Sequence, residues 1–183
     1  MTETQSDNPL LKPWTGPFEA PPFAALETAH FRPAFEVALD EARGEIAGIA
    51  ANPDQVSFEN TIEALERSGR TLDRVASVFF NLASADSSDA IETIEREVAP
   101  LLARHRNDIF LNRALFDRVD ALHARREALG LDEEQARVLE RYHVAFTRAG
   151  AGLADEAKAR LAAIGERLAV LGAQFGQNVL ADE

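Results

Sequence analysis

The sequence contains no cysteine, which excludes a disulfide scaffold and thiolate metal sites and suits a reducing compartment. It has no apolar run near the roughly 20 residues that span a bilayer. Met1 to Asp7 lacks the basic flank and apolar stretch of a signal peptide. Positive charge is in deficit, 19 Lys and Arg against 31 Asp and Glu, and the formal charge of -12 repels phosphate backbones and anionic lipid. Nucleic acid and membranes are therefore not expected as partners, and a soluble, cytoplasmic chain is. Proline nearly vanishes after residue 53, leaving only Pro100, so little interrupts helices over the last two thirds. No strand pattern and no fixed-period repeat competes with that reading.

What is present is a 183-residue chain with 46% hydrophobic residues, enough for one domain with a sizeable core. Seven of its eight prolines precede residue 54, and the run Asn8 to Pro22 cannot be helical, because fixed φ and missing donors forbid it. Residues 1–30 are expected to form an extended arm. Its Leu10, Leu11, Trp14, Phe18 and Phe23 are expected to pin it to a helical body spanning 31–183.

In that body the apolar spacing is helical, first through Phe35, Leu39, Ala42, Ile46 and Ile49. After Asn52-Pro53-Asp54, Ser57 is placed to cap a helix, with Asn60 three residues on as the partner of a capping box. The seam Phe58, Ile62, Leu65, Gly69, Leu72, Ala76, Phe79, Ala83 keeps its four-three phase, which predicts one continuous helix with Gly69 packed closely against a neighbour. Ser87 and Ser88 cap the next helix, with Ile91, Ile94, Val98, Leu101, His105 and Ile109 on its seam and a bend at Pro100. A helix from Asn112 is expected to end at Gly130, and one capped by Asp132 at Gly150. The last presents Ala157, Leu161, Ile164, Leu168, Leu171, Phe175 and Val179, beside a stripe of Gly165, Gly172 and Gly176 read as close helix packing. The fold class is all-α, about six helices in an antiparallel bundle-like domain behind a proline-rich arm.

Candidate chemistry is sparse. A helical zinc site of the H-E-x-x-H kind needs two histidines one turn apart. The four histidines are His30, His105, His123 and His143, and no two lie closer than the 18 residues from His105 to His123. A di-iron carboxylate bundle would use Glu-x-x-His on two helices. Glu140-His143 and Glu27-His30 match in letters and Asp120-His123 nearly so, but Glu27 and His30 sit beside the arm and no lone glutamate occupies a seam. His105 reads as a core histidine, and His123 with Glu127 and Glu66 with Arg70 as solvated i,i+4 pairs. There is no phosphate loop and no activated nucleophile. No catalytic, cofactor-binding or metal-binding residue is assigned.

In order along the chain stand Asn8-Pro9-Leu10-Leu11, Pro21-Pro22-Phe23, His30-Phe31-Arg32-Pro33-Ala34-Phe35, Phe58-Glu59-Asn60-Thr61-Ile62, Ser77-Val78-Phe79-Phe80, Arg118-Val119-Asp120, Leu129-Gly130-Leu131-Asp132 and Asn178-Val179-Leu180. Together these resemble the N-terminal region of the thimet-oligopeptidase-like zinc metallopeptidases. The middle is similar to the peptidyl-dipeptidase branch, and the two ends also to the oligopeptidase A branch. The resemblance implies an almost wholly helical protein with a deep channel, whose wall this segment helps to form while zinc and its ligands lie downstream. It further implies that the chain alone is inactive, that the full-length parent takes short peptides, and that the partner is the missing catalytic half of the same polypeptide. The apolar phase still running at Val179 and Leu180 reads as truncation, and a free fragment is expected to expose an apolar patch and to self-associate. From residues alone a stand-alone helical interaction module stays open, and a continuing reading frame bearing H-E-x-x-H discriminates the two.

Overall fold

The computed structural model describes residues 7–182, and among them there is helix and no strand. The six helices of three or more turns are α1 (Thr28–Ala50), α3 (Arg70–Ala85), α4 (Asp89–Phe110), α5 (Arg113–Ala124), α6 (Glu133–Ala149) and α7 (Asp155–Asp182), as the apolar spacing predicts. A short helical segment, the π-turn Glu59–Glu63 continued by α2 (Ala64–Arg67), lies between α1 and α3. The chain divides into two compact units.

Among the described residues the first unit comprises 7–43, 69–102 and 168–182. Its core is the inner face of α1 (Phe31, Phe35, Leu39) against α3 (Leu72, Val75, Phe79) and the start of α4 (Ile91, Val98). Phe79 is its centre, with the rings of Phe31 and Phe35 edge-on at 5.2 and 5.3 Å, the arrangement that the ring quadrupoles favour. The arm enters this core at Leu10, which is fully buried. Asn8 holds it there: its Nδ2 donates to His30 O at 2.7 Å and its Oδ1 accepts from Leu10 N at 3.0 Å. Arg74 of α3 donates to Leu10 O and lies 5.0 Å from the centre of the Trp14 ring. Beyond Trp14 the arm departs from expectation. Phe18, at a positive-φ corner in the turn Pro17–Glu19, is wholly exposed, and Phe23 is half exposed.

The second unit comprises residues 44–68 and 103–167. Ile46, Ile49, Ile62, Leu65, Leu115, Val119, Leu122, Leu139 and Phe146 form its core. Ser57 and Asn60 cap the π-turn reciprocally: Asn60 N donates to Ser57 Oγ at 3.2 Å and Ser57 N to Asn60 Oδ1 at 2.9 Å. Asn112 caps α5 through Leu115 N, and Asp132 and Gln135 form a complete capping box on α6, which Gly150 closes at φ 91°.

Three expectations need correction. The helix expected to run through Gly69 is broken there: Ser68 is extended (ψ 155°) and Gly69 left-handed (φ 74°), and no atom lies within 4 Å of where a Cβ would stand. The seam phase persists because each half serves its own core, Phe58, Ile62 and Leu65 in the second unit and Leu72 and Phe79 in the first. The helix expected to reach Gly130 stops at Ala124, since Arg125 N turns back to Leu122 O and a 3-10 turn, Arg126–Ala128, follows. Gly172 and Gly176 do not pack closely, for open space surrounds both.

Candidate functional site

The polar side chains that converge do so mainly in the second unit, and Arg118 organises the most buried group. It sits on the inner stripe of α5 between Leu115 and Leu122, 7% exposed. Its guanidinium donates to Asn52 O at 2.9 Å, Asn60 Oδ1 at 2.8 Å, Asn60 O at 3.4 Å and Thr61 Oγ1 at 3.3 Å. A π-turn leaves carbonyls out of the ordinary helical ladder, and the planar fork of arginine can reach several at once. Arg125, just past the end of α5, donates to Val56 O, so the two arginines hold the 52–61 segment at Asn52, Val56, Asn60 and Thr61. Four neutral oxygens around a permanently charged group make a clamp, with no acid, base or nucleophile in it. Sequence reasoning missed this role, although an arginine within an apolar stripe was the available signal.

On α6, Tyr142 donates to Glu66 Oε1 at 2.6 Å. Burial first, then the bond and charge of Glu66, push the phenol above its ordinary value, so it stays protonated and cannot serve as a base. Glu66 thus engages Tyr142, and the helix break at Gly69 separates it from Arg70, its expected partner. Beside this pair is an open recess of about 370 Å³ lined by Phe110, Val138, Arg141 and Ala145. Its walls are chiefly apolar, and it holds no pair of groups poised for proton transfer.

The histidines separate into three places. His30 caps the start of α1, its Nδ1 accepting from Glu27 N at 3.0 Å, so the Glu27-His30 pair is a turn. His105 is buried, at 8% exposure. His123 and His143 meet as stacked rings, centres 3.9 Å apart and planes 5° from parallel, with Asp120 Oδ1 3.1 Å from His143 Nε2. His123 therefore faces His143 rather than Glu127, its expected partner. Burial, followed by the charges of His143 and Arg126, lowers the His123 pKa, so this imidazole is neutral at pH 7.

A zinc ion requires ring nitrogens about 2.0–2.1 Å away that converge on one point. Lone pairs of stacked imidazoles lie in parallel planes and do not converge. Among the described residues no three His, Asp or Glu side chains gather into a metal-binding group. These histidines do not fit a zinc ion, and the family resemblance places the zinc ligands downstream of this chain.

No family model matches the sequence. Individual relatives do. The chain is 45% identical over 95% of its length to dipeptidyl carboxypeptidase of Escherichia coli K12, covering 26% of that protein. It is 43% identical over 96% of its length to dipeptidyl carboxypeptidase of Salmonella typhimurium, again covering 26%. To oligopeptidase A of Salmonella typhimurium it is 28% identical over 94% of its length, covering 25% of that protein. The chain thus spans about a quarter of the length of the curated relatives it matches. Among the described residues no helix is long and apolar enough to cross a membrane.

Proposed function

We propose that this chain, similar over nearly all its length to one quarter of dipeptidyl carboxypeptidase, is the non-catalytic N-terminal helical part of a zinc-dependent oligopeptidase. The observation that carries the proposal is the 45% identity over 95% of the chain. Zinc, its ligands and the general base then belong to the remainder of the polypeptide, and no step of the reaction is assigned to residues 1–183. Their contribution is shape: rigid helices forming part of the wall of a channel that admits short, unfolded peptides. The full-length parent acts in the cytoplasm and releases dipeptides from the C-terminal ends of its substrates.

The test is mass spectrometry of the products that the full-length protein forms from a peptide of about ten residues, with its C-terminus free and then amidated. Successive loss of C-terminal dipeptides, suppressed by amidation, is the expected result. Internal cuts indifferent to amidation would replace the peptidyl-dipeptidase reading by one of oligopeptidase A type. Absence of chelator-sensitive cleavage would remove the peptidase reading.

A further inference from the structure

Helix α7 is inside out. Along its part in the first unit, Leu168, Leu171, Phe175 and Val179 recur at steps of three and four, one stripe of the helix, and all are exposed, Leu168 at 62% and Phe175 at 70%. The side on which the helix rests carries one branched apolar residue, Val170, partly covered, among small and polar ones. Ala169, Ala173 and Gln177 are partly covered. Gln177 Nε2 donates to Glu92 O at 3.1 Å and to Glu95 at 2.9 Å, and Arg96 Nη1 donates to Gln177 Oε1 at 2.7 Å, all within α4. Two residues turn a helix by about 200°, so Gln177 fixes Phe175 facing outward. An ordinary surface helix has the opposite polarity, apolar face inward and polar face to water.

Gly172 and Gly176 border the stripe on one flank, and both are open. Together they form a flat shoulder beside a leucine-phenylalanine ridge, a surface suited to another helix at close range. A contiguous exposed apolar patch of this kind marks an interaction surface.

From this geometry, and resting on the proposed membership of a longer peptidase, we infer that the Leu168–Val179 face of α7 seats the C-terminal remainder of the same polypeptide. Two observations select that occupant. The relatives are about four times longer than the chain, which covers 26% of dipeptidyl carboxypeptidase, so most of their mass lies outside these residues. A second copy, the self-association expected of a free fragment, competes less well, because each copy carries a formal charge of -12 and like charges repel. The seat is apolar, and its occupant is a complementary helix face with large side chains opposite Gly172 and Gly176.

The absence of cysteine provides the test. Phe175→Cys introduces a single thiol at a position whose side chain is largely exposed, so the fold should tolerate it. In the 183-residue chain this thiol should react with a maleimide as fast as a free exposed one. In the polypeptide translated from the whole reading frame, labelling at residue 175, read by peptide mass spectrometry, should slow at least about tenfold, as burial demands. Equal rates in the two proteins would overturn the inference, as would a reading frame that ends at residue 183. Protection in the short chain that grows with concentration would replace the C-terminal remainder by a second copy. Labelling is independent of catalysis: protection without peptidase activity would sink the proposed function and leave the seat, and activity without protection the reverse.

Discussion

Arg118 and Gly69 show how single residues decide the local structure on which the rest depends. Replacing Arg118 by Met keeps much of the stem but removes the donors that satisfy Asn52 O, Asn60 and Thr61 Oγ1. The expected loss in urea unfolding is about 3 kcal/mol, from buried acceptors left unmatched; an unchanged midpoint would show that water replaces the guanidinium. Gly69→Ala should cost about 1 kcal/mol although space is open around it, because φ 74° is unfavourable for a residue with a Cβ. An Ala variant as stable as the parent would mean that the corner relaxes to a helix. Neither role was plainly legible. Apolar phase registers which side is buried, and it ran unbroken through Gly69 because both halves of the seam are buried, only in different cores.

At the scale of elements, helix starts were well marked: Ser57 and Asp132 are caps as their positions predict, and Asn112, expected as the start of its helix, also caps it through its side chain. The seam of α7 was equally legible as a helix. Which way it faces was not, because a seam states that a face is apolar and cannot name what covers it. The α5–α6 contact yields a pH prediction. His123 has a lowered pKa in the fold, so it opposes protonation there; its contribution to stability is complete above its ordinary value of 6.5 and is lost as pH falls below it. Stability should therefore drop as pH falls below about 6.5, and His123→Phe, which keeps a ring over His143, should flatten part of that drop. Superimposable pH profiles for the two proteins would show that the stack does not feel the proton.

For the whole molecule, the all-α class and the similarity to peptidases were legible because segments scattered from Asn8 to Leu180 match in order, and the structure gives two pairs of those segments a joint role. Phe58–Ile62 and Arg118–Asp120 meet through the Arg118 clamp, and Asn8–Leu11 meets His30 through Asn8. What sequence could not supply was the division into two compact units, because α1, α4 and α7 each run without a break in their pattern across the boundary. The proposed function has these residues form a helical wall and hold none of the reacting groups. It is tested most directly by metal analysis and a quenched-peptide assay on the 183-residue chain beside the full-length protein. About one zinc and chelator-sensitive cleavage are expected in the full-length protein, with neither in the chain alone. A tightly held zinc or chelator-sensitive cleavage in the 183-residue chain would contradict it.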